Sequence, residues 1–179
     1  MCDEEQTISA PKTAAHLAAS RGAARLMAVQ ALYQLEMCGG SADATIMEFL
    51  QFRTTIVDDD EGATLYLDAD RALFADLVSS VSKSREDLSA VLDGSIDGGS
   101  GSARLEPLLR AILLAGAYEL RSRDDIPAKV AISEYVHLTD AFFDGKEPGL
   151  VNAVLDRLAR VLRDGEVGNT KTAGDGASD

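Results

Sequence analysis

The chain has no tryptophan, four prolines and two cysteines among its 179 residues. Few helix breakers and abundant alanine and leucine favour helices, because alanine loses no side-chain entropy in a helix and leucine loses little. No stretch alternates polar and apolar residues with β-branched enrichment, as a half-buried strand would. The two cysteines, Cys2 and Cys38, have no spacing typical of a metal or redox site. The sequence therefore predicts an all-α protein.

Long apolar runs are also absent. The longest, residues 111–118, is far below the roughly 18–20 residues that span a bilayer. The N-terminus, Met-Cys-Asp-Glu-Glu at 1–5, carries three acidic residues and does not lead into the apolar segment of a secretory signal. We therefore expect a cytoplasmic protein with no membrane partner.

Motifs of catalysis are missing as well. There is no nucleophile elbow, phosphate loop, dinucleotide fingerprint or HExxH pair. The two histidines, His16 and His137, stand alone, and nothing near Glu134 in the sequence supplies a nucleophile. We predict no catalytic residue, no metal ligand and no cofactor, and hence no enzyme.

Charge is unevenly distributed along the chain. The chain has 17 Lys and Arg and 30 Asp and Glu, a net charge of −13. This negative charge argues against a general nucleic-acid binder. However, the segment 12–35 carries Lys12, Arg21 and Arg25 and no acid. The pattern is compatible with a basic helical face on an acidic body, or with an ordinary solvated surface.

Apolar residues at three- and four-residue steps predict about seven helices. The first should run from residue 12 or 20 to Met37; Ser41 and Asp68 should cap later helices, and a break is expected near 82–84. The helix that begins near Leu105 is apolar on nearly every side and should be central. The predicted organisation is a disordered tail (1–11), a helical domain (12–163) and a disordered acidic tail (164–179). Within the domain, a Gly/Ser-rich linker joins halves 12–93 and 103–163, as a hinge or spacer.

Four strings then narrow the interpretation. They are Ala-Val-Gln-Ala-Leu-Tyr at 28–33, Ala-Tyr-Glu-Leu at 117–120, Asp-Asp-Ile-Pro with Lys-Val-Ala-Ile and Glu across 124–134, and Leu-Val-Asn-Ala-Val-Leu-Asp-Arg-Leu-Ala at 150–159. In order and spacing the chain resembles the NusB family of bacterial transcription antitermination factors, over about residues 21–160.

This resemblance implies two three-helix subdomains with about one further helix. It also implies that the chain binds boxA RNA of ribosomal RNA operons together with NusE, a small-subunit ribosomal protein, in the RNA polymerase antitermination complex. The alternative is a noncatalytic helical scaffold or homodimer with weak or lost RNA binding. A similar domain occurs in ribosomal RNA methyltransferases, but we expect no room for a catalytic domain in this length.

The family's arginine-rich motif maps onto Arg21 and Arg25, four apart and so on one helical face. With Lys12 and Gln30 they form the predicted RNA-binding set, although Gln30 also fits an ordinary exposed helix position. Gly22 and Ala23 stand where relatives often carry arginines, which predicts weaker RNA binding alone and greater dependence on NusE.

The resemblance places the NusE surface at the turn before the last helix. Its predicted contacts are Asp144, Lys146, Glu147 and Leu150; relatives commonly have an acid in place of Lys146 and an aromatic in place of Leu150. On the central helix, Leu109 and Leu114 stand where relatives commonly have Glu and Arg. The resemblance therefore points either to a drifted interface or to more apolar surface against a partner, such as a second copy of the chain. We assign structural capping and turn roles to four further family matches: Asp125, Pro127, Glu134 and Asn152.

Overall fold

A computed structural model describes residues 14–53, 69–96 and 101–164. This part of the chain contains seven α-helices and no strand, which confirms the all-α prediction. The helices are α1 (Ala14–Cys38), α2 (Ala42–Glu48), α3 (Arg71–Lys83), α4 (Arg85–Asp93), α5 (Pro107–Ser122), α6 (Ala128–Asp140) and α7 (Glu147–Leu162). A π-helical turn, Phe49–Arg53, extends α2, and a 3-10 turn, Ser102–Arg104, precedes α5.

Local signals set the helix ends. Two glycines with positive φ, Gly39 at 71° and Gly40 at 108°, follow α1, a conformation that only glycine adopts at little cost. The side chain of Ser41 then accepts a hydrogen bond from the backbone N–H of Ala44 at 3.4 Å and caps α2 as predicted.

The cap of α3 differs from the prediction. Asp70, not Asp68, accepts a hydrogen bond from the backbone N–H of Leu73, at 3.0 Å; Asp68 lies outside the described residues. Two aspartates so close in sequence offer the same capping chemistry, so composition alone could not choose between them. The predicted break is confirmed at Ser84, which separates α3 from α4.

The α5 helix is the centre of the fold. Every residue from Ala111 to Leu120 is buried, and α5 contacts α1, α3, α4, α6 and α7. Gly116 lets α7 and α6 approach, because a Cβ there would lie 2.9 Å from Leu155 Cδ1 and 3.2 Å from Tyr135 Cδ2. The prediction of a central helix is confirmed.

The position of α5 also decides the role of two unusual leucines. Leu109 is 4% exposed and Leu114 is 1% exposed, so both pack inside this chain. Their apolar character serves its own core, and the suggestion that they face a partner or a second copy is not supported.

Polar contacts tie the ends of the predicted linker together. The carboxylate of Asp93 accepts a hydrogen bond from the backbone N–H of Ser102. Hydrogen bonding from the side chain of Ser102, followed by that from its backbone, lowers the pKa of Asp93. Arg157 of α7 donates to the carbonyl of Ser95 at 2.6 Å. Residues 97–100 lie outside the described ranges, and the division of the domain into two halves stays a prediction.

The C-terminal end of α5 is held by Arg163, which is 7% exposed. Its guanidinium donates to four backbone carbonyls, at 2.7–2.9 Å, those of Glu119, Leu120, Arg123 and Ile126. A cation at this place opposes the negative end of the helix dipole and gives the carbonyls of the last turn and of the following loop a charged donor. Within the described ranges no helix combines the length and apolar character that crossing a membrane requires.

Candidate functional site

The inner face of α1 carries an arginine that is enclosed by protein. Arg25 is 2% exposed, and its Nε and Nη2 donate to Oε1 and Oε2 of Glu119 at 2.9 and 3.0 Å. Its Nη1 donates to Oε2 of Glu134 at 3.0 Å. One side chain of α1 thus binds a carboxylate of α5 and a carboxylate of α6.

Tyr135 completes this buried network. Its hydroxyl donates to Glu119 Oε1 at 3.0 Å, and its burial, followed by the nearby charge of Glu119, raises the pKa of Tyr135 well above the usual range. Burial opposes the charge of Arg25, but the hydrogen bonds and charge of Glu119 outweigh it, and the pKa of Arg25 is raised. The network is therefore a neutral tyrosine beside a charged, bidentate ion pair.

The outward orientation expected for Arg25 is not found. A guanidinium held by two carboxylates inside the protein reaches a phosphate only if those bonds break, and an unpaired buried charge is costly. The sequence could not distinguish Arg21 from Arg25, because residues four apart share a helix face whether that face is exposed or buried. We correct the prediction: Arg25 positions α1, while Arg21 is exposed and available to a ligand.

A groove runs between α1 and α6, and the Arg25–Glu134 pair lies at its middle. It holds two cavities: one of about 250 Å³ towards the N-termini of α1 and α6, named the outer cavity here, and one of about 220 Å³ further along both helices, named the inner cavity. Both residues of the pair line both cavities. Leu17 and Val130, which line the outer cavity, are each 48% exposed. The side chain of Glu134 keeps 32% exposure, so its carboxylate is accessible from the groove.

The rim of the groove carries charges of both signs. Arg21 lines the outer cavity, and Lys129 lines a neighbouring one. Arg123 donates to both oxygens of Asp125, at 2.8 and 3.0 Å, and to Asp76 at 3.1 Å. Hydrogen bonds from Arg123, with a smaller contribution from the charge of Arg21, lower the pKa of Asp125. Arg123 is thus held by two carboxylates, which leaves Arg21 and Lys129 as the cations facing solvent here.

The remaining members of the predicted RNA set are placed differently. Gln30 is half-buried on α1, and Lys12 lies outside the described residues. The structure does not bring Gln30 to the outer cavity, whose α1 residues are Leu17, Ala18, Arg21 and Arg25.

The predicted partner residues do come together, on the turn between α6 and α7. Asp144 and Lys146 are exposed, whereas Glu147 and Leu150 are half-buried, and Leu150 packs against the core. Phe142, two residues after the end of α6, is 41% exposed. It adds an exposed aromatic side chain to the segment between α6 and α7.

Comparison with known proteins decides the family. The model of the NusB family matches residues 22–160. The chain is 45% identical to the transcription antitermination protein NusB of Bradyrhizobium sp. strain ORS 278 over 148 residues, 83% of this chain and 86% of that protein. It is 46% identical to the protein of that name from Rhodopseudomonas palustris strain TIE-1, over 80% of each chain. This chain belongs to the NusB family.

The fold agrees with this assignment. A solved structure of NusB from T. maritima superposes with a TM-score of 0.63 at 20% sequence identity and covers 78% of this chain and 90% of that one. At that identity the likeness concerns the fold alone. The all-helical architecture expected of a NusB family member is confirmed.

Gly22 and Ala23, where the resemblance predicts arginines, have different surroundings in the structure. Ala23 is 7% exposed, so it belongs to the core of this NusB family member. Gly22 faces the groove, and a Cβ there would lie 3.5 Å from Glu134 Oε2. An arginine at position 22 would therefore meet the carboxylate that Arg25 already binds.

Sequence reasoning missed three residues of this region: Glu119, Tyr135 and Arg163. The available signal was a charged or polar residue inside an apolar stripe, as with Glu119 between Tyr118 and Leu120. Such a residue is rarely buried unless it is paired. Which residue would pair with it was not readable, because the partner of Glu119 lies 94 residues away.

Proposed function

We propose that this chain is a noncatalytic transcription antitermination factor that binds boxA RNA of ribosomal RNA operons together with NusE, within the RNA polymerase antitermination complex. The observation that carries the proposal is the 45% identity to a transcription antitermination protein over 83% of the chain. The cytoplasmic location predicted from the sequence is part of the same proposal.

Arg21 is the centre of the proposed RNA contact. It is exposed, and the guanidinium of arginine binds phosphate with paired hydrogen bonds. Lys12 and Gln30 remain predicted contacts on the same segment. Arg25 supports this surface indirectly, since its bonds to α5 and α6 fix the helix from which Arg21 projects.

The partner explains how a chain with a net charge of −13 can hold RNA. A second protein bound beside Arg21 would hold the same strand, and two linked contacts reinforce each other. We place that partner at the α6–α7 turn, on Asp144, Lys146, Glu147 and Leu150, and add Phe142. An exposed aromatic beside charged residues is typical of a protein-binding surface.

Fluorescence anisotropy with labelled boxA RNA, with and without NusE, tests the proposal. The complex with NusE should bind more tightly than either protein alone. Arg21→Glu should weaken RNA binding about tenfold and reduce the slope of affinity against salt. The matched control is Arg160→Glu on α7, whose side chain is 67% exposed and should leave RNA binding within about twofold.

One further candidate function is a protein-binding scaffold in which RNA binding is weak or lost. The glycine and alanine at positions 22 and 23 favour it, since the family often has arginines there. RNA binding that stays undetectable in the presence of NusE, while NusE itself binds, would support the scaffold and contradict the RNA proposal.

A further inference from the structure

We propose that the outer cavity of the α1–α6 groove is a subsite for one unstacked base of single-stranded RNA, that guanine is the preferred base, and that Glu134 reads its edge. This inference rests on the proposed function, and names the chemistry of one nucleotide position.

The walls of the cavity are apolar and open to solvent. They comprise Leu17 and Ala18 of α1 with Ile126, Pro127 and Val130 at the start of α6. Single-stranded RNA offers base faces that need such a surface. At about 250 Å³ the cavity is smaller than the roughly 300–1,000 Å³ of sites for drug-sized ligands, so it suits a single planar ring system.

The carboxylate of Glu134, which lines the cavity, can distinguish bases. Glu134 accepts from Arg25 through Oε2, and this bond orients a carboxylate that is still 32% exposed. A carboxylate only accepts hydrogen bonds. Guanine presents two adjacent donors, its N1–H and its 2-amino group, whereas uracil presents one donor between two carbonyls. Glu134 therefore favours guanine and repels the carbonyls of uracil.

The rim supplies the counter-charge for the phosphate. Arg21 lies one turn after Leu17 and one turn before Arg25 on α1, and it lines the same cavity. A base in the cavity would place its phosphate at the rim, where Arg21 can bind it. An apolar peptide side chain would fill the walls equally well, but it would leave the Glu134 carboxylate and Arg21 without a ligand. The charges thus favour a nucleotide.

Anisotropy with labelled ten-nucleotide oligouridines at low salt tests the base preference. The oligomers carry guanine, inosine, adenine or uracil at one central position; inosine lacks only the 2-amino group. We expect the guanine oligomer to bind the wild-type chain about tenfold more tightly than the inosine one. Equal binding of the two, or no measurable binding of the guanine oligomer, would overturn the subsite.

Glu134→Gln tests the reading residue. It should reduce the guanine-to-inosine ratio to less than about twofold while binding of the all-uracil oligomer stays the same or improves. Arg25 keeps its two bonds to buried Glu119 in this variant, so the fold is retained, and thermal unfolding checks this directly. An unchanged ratio in the folded variant would contradict the assignment.

Val130→Glu tests the wall. Val130 is 48% exposed, so the substitution changes the cavity rather than the core, and guanine-dependent binding should fall at least about fivefold. Val161→Glu, at a position on α7 that is 75% exposed, is the matched control and should change nothing.

The subsite and the proposed function fail separately. If Arg21→Glu weakens boxA binding but Glu134→Gln leaves base preference unchanged, the subsite is wrong and the RNA function stands. If boxA RNA is not bound even with NusE, the proposed function fails. If Val130→Glu weakens NusE binding and spares RNA, the groove holds a protein segment and the RNA subsite is overturned.

Discussion

Arg25 and Glu119 lie 94 residues apart in sequence, yet they share two parallel hydrogen bonds, at 2.9 and 3.0 Å, in the interior of the protein. The side chain of Arg25 is 3% exposed and that of Glu119 is 0% exposed. The pair joins α1 to the central helix. It therefore determines where the N-terminal part of α1, with Arg21, stands relative to α6.

Removing one member of this pair should strongly lower the free energy of unfolding. Arg25→Ala leaves the carboxylate of Glu119 buried without its cation, and a broken buried pair costs about 3–5 kcal/mol of unfolding free energy. Urea denaturation followed by circular dichroism measures this. Arg21→Ala, the exposed arginine one turn earlier, should change stability by less than about 0.5 kcal/mol. A loss below about 1 kcal/mol in Arg25→Ala would contradict the buried pair.

Replacing both members should restore part of the loss. Arg25→Met combined with Glu119→Met removes both charges, and apolar replacement of a whole buried pair is often close to neutral. The hydroxyl of Tyr135 loses its acceptor Glu119 in this variant, so the recovery is partial. We expect the double variant to be more stable than Arg25→Ala in the same urea experiment. A double variant less stable than the single one would show that the network contributes more than the pair alone.

The buried side chain of Arg163 should contribute strongly to the free energy of unfolding. Four backbone carbonyls at the end of α5 and in the following loop accept from its guanidinium. Hydrogen bonds to charged groups contribute about 1.5–3 kcal/mol each at most, and we expect Arg163→Lys to cost about 2–3 kcal/mol because an ammonium cannot reach four acceptors in this planar arrangement. Arg160→Lys, at an exposed site, is the control. Equal losses of unfolding free energy in the two variants, measured by urea denaturation, would contradict the stabilising role of the Arg163 hydrogen bonds.

Gly116 and Gly149 provide a matched test of close packing. Alanine at 116 would place its Cβ 2.9 and 3.1 Å from the methyl carbons of Leu155, and crowding a core costs about 1–3 kcal/mol. Alanine at 149, in α7, meets no atom within 4 Å and should gain up to about 1 kcal/mol from helix propensity. Thermal unfolding of the two variants should move in opposite directions; a stabilised Gly116→Ala would contradict the packing of α5 on α7.

The buried tyrosine predicts a loss of stability in alkali. Burial raises the pKa of Tyr135 well above its ordinary value, so the folded chain keeps the phenol neutral where the unfolded chain ionises it. The stabilisation is complete below the unfolded pKa near 10 and falls as the pH rises above it. Urea unfolding at about pH 8 and about pH 10.5 should show the decline, with a smaller decline in Tyr135→Phe. An equal decline in both chains would exclude Tyr135 as its source.

Much of the fold was readable from local signals. Helix propensity, apolar periodicity, the glycines after α1 and the serine cap of α2 act over a few residues, so the pattern predicts them without knowledge of neighbours. The continuous apolar run of α5 also identifies the central helix. The sequence predicts Asp68 as the cap of α3, and the structure has Asp70. Local signals thus place a helix end only to within about two residues, because either aspartate offers the same capping chemistry.

The site was only half readable. Arg21 and Arg25 are identical in chemistry and one turn apart, and the sequence predicts the same role for both. The structure separates them, because α5 brings Glu119 under Arg25 and nothing comparable encloses Arg21.

The sequence by itself determined the helices, their order and the family, because these follow from interactions between near neighbours and from strings of residues that stay in register along the chain. Only the tertiary structure decided which charges face water. Burial and ion pairing depend on side chains that lie tens of residues apart, and a charge has its effect through the groups that surround it in space.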